Sequence, residues 1–180
     1  MSAWRAVPVQ NGFGDDRGAL FQGLKLSLFD VADPAAPREV QALSVGERGT
    51  ESVALYNPRA IAILPGEAGE PTRVAFGIDV HGNPAPEGAP SADRAWEYRP
   101  WSYTGLHAFE VRTGADAGID RRGVIVAESS GGPEGRDYPT LGSAGGEDRA
   151  VIVDDALYYV HGAGVRVAPW GEPQAAVGPR

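Results

Sequence analysis

A chain of 180 residues, 42% of them apolar, is long enough for one domain with a real core and too apolar for global disorder. Its net charge of −8 is not the concentrated basic surface that nucleic acid requires, and the lack of cysteine excludes disulfides, thiolate nucleophiles and metal–thiolate centres. Glycine (25) and proline (15) are abundant, which favours short strands and turns over long helices.

In chain order, the first twenty residues, MSAWRAVPVQNGFGDDRGAL, lack a basic stretch followed by an apolar one, so no secretion signal is expected. Nor is there an apolar run of about eighteen residues that would make a transmembrane helix. Residues 1–23 read as an N-terminal loop segment. Short strand-like runs bounded by turn residues then follow. They are 24–31 (LKLSLFDV), 38–45 (REVQALSV), 60–64 (AIAIL), 72–80 (TRVAFGIDV), 105–112 (GLHAFEVR), 123–128 (GVIVAE), 149–153 (RAVIV), 156–161 (ALYYVH) and 165–168 (VRVA). Between the first two lies the corner Asp33-Pro34-Ala35-Ala36-Pro37, where proline sets φ and Asp33 can bond back to the backbone. Apolar spacing of three and four never persists beyond about two turns, so little helix is expected.

Two long polar stretches interrupt the strands: 81–100 (HGNPAPEGAPSADRAWEYRP) and 129–147 (SSGGPEGRDYPTLGSAGGE). They read as surface loops, and loops of that length are usually functional or disordered. An internal echo runs through the chain. Gly23-LKLSLFDV, Gly105-LHAFEV and Gly164-VRVAPW each place alternating apolar residues after a glycine, and the first two share a Phe-acid-Val triplet. Repeated strands at intervals of tens of residues are the pattern of a β-propeller. Residues 59–128 then make one four-stranded unit, preceded by the last two strands of one unit and followed by the first three of another.

The stretch GLKLSLFDVADPAAPREV with SVGERGTESVALYNPRAIAIL closely resembles the C-terminal β-propeller domain of a secreted bacterial and archaeal family distantly related to WD-repeat proteins. The residues that carry the resemblance are Leu28-Phe29-Asp30-Val31, Asp33-Pro34 with Pro37, Gly46 with Arg48-Gly49-Thr50, and Ala54-Leu55-Tyr56. The later GLHAFEV and RAVIVDDALYYVHGAGVRV look like its closing strands. Members of that family are longer and carry a secretion signal. The resemblance therefore implies that this chain holds the last two to three blades, and it implies an extracytoplasmic home. The expected fold is all-β: antiparallel propeller-type blades of about nine strands in an incomplete ring, with long Gly/Pro-rich loops. The expected organisation is a partial propeller over 24–170 and a C-terminal tail over 171–180. Nine strands cannot close a ring, so a protein partner or self-association is expected to complete it.

Signals for chemistry are sparse. Arg94, Trp96, Tyr98, Arg99, Trp101 and Tyr103 lie close together in RAWEYRPWSY, the composition of an interface or a carbohydrate-stacking platform, or of aromatics that anchor a loop. Asp15 and Asp16 form a glycine-flanked acidic loop, either a solvated turn or a calcium site, and EF-hand spacing is absent. His81, His107 and His161 show no HExxH or HxH spacing. Glu67, Glu70 and Glu87 are loop acids that could serve a carbohydrate hydrolase. No nucleophile elbow, P-loop or dinucleotide pattern is present. The expectation is a non-enzymatic module that binds a protein or surface polymer, or a piece of a larger propeller, with no cofactor beyond calcium at Asp15 and Asp16 and no nucleic-acid partner. The alternative is a carbohydrate-active hydrolase that uses loop carboxylates.

Overall fold

The computed structural model describes residues 2–9, 18–67, 69–82, 97–131, 137–139 and 148–178. Among the described residues, ten antiparallel strands form three sheets. The first is β1 (Ser2–Val9), β2 (Gly18–Asp30) and β3 (Arg38–Val45), in that order. The second is β4 (Ala62–Leu64), β5 (Thr72–His81), β6 (Trp101–Arg112) and β7 (Gly118–Ser129). The third is β8 (Arg149–Val153), β9 (Ala156–His161) and β10 (Gly164–Pro169). The fold is all-β and its described sheets do not close into a ring. No helix among the described residues is long and apolar enough to cross a membrane.

The four-stranded unit expected at 59–128 is the second sheet. The N-terminal reading needs correction, because residues 1–23 hold β1 and the start of β2 rather than a loop. Pro8 masks the strand pattern of SAWRAVPV. β1 lies at the edge of its sheet, the position in which sheets admit proline. The corner between β2 and β3 is built as expected. Asp33 Oδ1 accepts from Ala35 N–H at 3.0 Å, and Asp33 O accepts from Ala36 N–H at 3.1 Å.

The sheets are stacked, with the second in the middle. Strand side chains alternate between faces, so one face of β5 and β6 presents Phe76, Ile78, Val80 and Phe109 to Leu24, Leu26 and Val45 of the first sheet. The opposite face presents Ala75, Leu106 and Ala108 to Leu157, Tyr159, Ala168 and Trp170 of the third sheet or just after it. Phe76 and Phe109 stack at 5.5 Å between ring centres. Both faces of β5 and β6 are thus largely covered, which is why these strands read as mostly apolar runs.

The internal echo is structural. Its three copies fall in β2, β6 and β10, and each of these follows its sheet partner β1, β5 or β9. A β-bulge also recurs. Val40 is the extra residue opposite Leu28 and Phe29, and Arg122 the extra residue opposite Ala108 and Phe109.

Candidate functional site

One end of the stack gathers most of the polar chemistry. Backbone hydrogen bonds tie the segment after β3 to the ends of β5 and β6: Glu47 N–H to His81 O at 2.8 Å, Arg99 N–H to Arg48 O at 2.9 Å, and Gly82 N–H to Pro100 O at 2.9 Å. Thr50 Oγ1 accepts from His81 N–H at 2.9 Å, and His81 Nδ1 lies 2.8 Å from Arg99 O, which fixes the proton on that nitrogen. Gly49 stands at φ 110 beside this ring, and a Cβ there would come within 2.7 Å of His81 Nδ1. This rim is therefore pinned by backbone contacts rather than left as an open loop.

The described members of the aromatic–arginine cluster divide between the surface and the core. Arg94 and Trp96 lie outside the described residues, as do Asp15 and Asp16. Tyr98 is 73% exposed, and the Arg48 guanidinium sits over its ring, 4.4 Å from the centroid. Arg99 is held by Glu47 at 3.0 Å and Glu97 at 3.4 Å. Trp101 is buried instead, its Nε1–H donating to Thr104 Oγ1 at 3.3 Å. Tyr103 lies stacked on His107, ring centres 5.9 Å apart, and burial raises its pKa. The run divides because Trp101 and Tyr103 belong to strand β6, whose faces are already covered. Arg48, which the sequence marks only as part of the family resemblance and not as a site residue, joins the rim through folding.

A second polar group lies between the middle and third sheets. Thr104 Oγ1–H donates to Asp79 Oδ1 at 2.5 Å, extending the chain from Trp101. Tyr159 O–H donates to Asp148 Oδ2 at 2.5 Å. His161 lies between two acids, with Nδ1 3.0 Å from Asp148 Oδ2 and Nε2 3.3 Å from Glu128 Oε1. Both ring nitrogens face carboxylates, so the doubly protonated ring satisfies both. The hydrogen bond to Asp148 is the largest cause of a raised His161 pKa, opposed by burial and reinforced by Glu128. Burial, and then the charge of Asp148, pushes the Tyr159 hydroxyl far above its usual range. Asp79 and Asp148 line a cavity of about 10 Å³ with Ser52 and Gly77, room for about one water. Through the His161–Glu128 contact this arrangement cross-links the middle and third sheets.

The three histidines do not converge. His81 serves the rim and His161 the cross-sheet group, while His107 is buried between Tyr103 and Phe109. Burial, with a smaller contribution from the Arg121 charge, lowers the His107 pKa to about 3, so its ring is neutral. Of the loop acids, Glu67 and Glu70 share one turn at the far end of β5, where Glu70 N–H donates to Glu67 O at 2.9 Å. Glu87 lies outside the described residues. Among the described residues, no cluster of three histidine or carboxylate groups has a metal-binding arrangement.

Comparison with known protein families returned a model described as "Beta propeller domain", matched over residues 10–172. No curated protein and no solved structure matched the chain.

Proposed function

The chain belongs to the Beta propeller domain family, and on that premise we propose that it is a non-enzymatic binding module whose rim takes an acidic segment of a partner protein. The observation that carries this reading is Tyr98, an exposed aromatic held beneath Arg48 on a rim locked by Arg99, Glu47 and Glu97. Large exposed side chains normally lose entropy on binding, and a ring already fixed by stacking loses less. Arginine and tyrosine together are the residues most enriched where interface energy concentrates. A planar guanidinium stacked on an exposed ring is the arrangement that pairs well with a ligand carboxylate. The family suits such a role, since propellers present loops from a rigid scaffold.

A randomised peptide library panned against the chain, followed by fluorescence anisotropy of the selected peptides, tests this. Acidic peptides should emerge, and Arg48→Ala or Tyr98→Ala should weaken them about tenfold or more, roughly 1.4 kcal/mol or above. Selected peptides indifferent to both substitutions would sink the rim reading. Binding confined to a glycan panel would assign a surface polymer instead.

A further inference from the structure

Among the described residues, no element packs on the outer face of the third sheet. The inward residues Ala150, Ile152, Leu157, Tyr159 and Ala168 pack against the middle sheet. Their strand neighbours point the other way and are almost all apolar. Val151, Tyr158 and Val167 form one cross-strand row, and Val160 and Val165 pair in the next. Val151, Val153 and Val165 are 44%, 50% and 41% exposed. Arg149, paired with Val160, is the one charge on this face among the described residues, and it stands at a corner.

The opposite end of the stack is different. The outer face of β2 and β3 carries the Lys25–Glu39 ion pair at 2.6 Å, with Ser44 and the exposed Phe29. A polar face does not complement an apolar one, so head-to-tail stacking of copies leaves Lys25 and Glu39 desolvated against valines. A two-fold arrangement lays valine on valine and keeps the charges in water. The chain has a net charge of −8, and its copies repel each other least where no acid stands.

We propose that this face is a homodimer interface, with two copies packing β8–β10 against β8–β10 about a two-fold axis near Tyr158. It continues the packing that already joins the middle and third sheets, one further sheet-on-sheet layer at the usual spacing of about 10 Å. Three strands of about six residues cover roughly 300 Å² per copy, below the about 800 Å² of a standard interface. The dimer is therefore reversible and concentration-dependent. It does not rest on the rim reading, because Arg48 and Tyr98 take no part in it.

Sedimentation velocity on the full chain, from about 5 µM to about 500 µM, spans the affinities expected of so small an interface. The mass should rise toward two copies and stop. Val151→Lys and Val165→Lys, both at exposed positions, should each weaken association about tenfold or more with far-UV circular dichroism unchanged. Lys25→Ala and Tyr98→Ala should leave it as it is. A monomer throughout the range overturns the proposal, and so does assembly continuing beyond two copies. A dimer indifferent to both lysine substitutions overturns it as well.

Discussion

At the residue scale, two histidines in one stack are tuned in opposite directions by their neighbours. His161 sits between Asp148 and Glu128, so its folded pKa lies above the usual 6.5. The stabilisation it confers is complete below about pH 6.5 and is lost as pH rises through the raised value. His107 is neutral in its apolar stack, and the unfolded chain takes up a proton there long before the folded one does. Its contribution is lost as pH falls from about 6.5 toward about 3. Thermal melts across this range should show His161→Gln flattening the alkaline limb and His107→Phe flattening the acidic one. If both variants track the wild type at every pH, the assignment of these two groups fails. Thr104 offers a test without charge change. Thr104→Val deprives Trp101 Nε1–H of its acceptor and Asp79 of a donor, and should cost about 1–3 kcal/mol in urea unfolding.

At the scale of strands, Phe29 and Phe109 occupy equivalent places, each at the recurring bulge in an echoed strand. Phe109 is 1% exposed and Phe29 46%, because the first sheet covers one and no sheet covers the other. Phe109→Ala should therefore cost about 3–5 kcal/mol, while Phe29→Ala stays within about 1 kcal/mol. Equal losses would mean that covering by the first sheet is not what separates the two positions. The echo and the turn chemistry were legible in the sequence because glycine spacing, alternation and the Asp33 corner are local signals. The rim was not. Arg48 reaches Tyr98, and Glu128 reaches His161, only through the stacking of sheets, and no spacing along one chain announces such pairs. The aromatic run misled in part for the same reason, since burial rather than composition separates Trp101 from Tyr98.

At the scale of the whole molecule, the middle sheet is the keystone: two apolar layers, on opposite faces, share its strands. Phe109→Ala in one layer and Leu157→Ala in the other should lower the same single unfolding transition, followed by near- and far-UV circular dichroism. Two separated transitions in either variant would show that the layers melt independently. The last residues of the described chain add one more contact, for Val177 exchanges both backbone hydrogen bonds with Val167 of β10, at 3.0 and 2.9 Å. They fill beside β10 the place that β7 fills beside β6. A strand margin capped in this way cannot template an incoming extended chain at that point. Cutting the chain before Val177 should thus uncover a sticky margin and promote ribbon-like aggregation, measurable by thioflavin fluorescence. The Val177 bridge thus occupies the margin of β10 at one pair, where an incoming extended chain would otherwise dock.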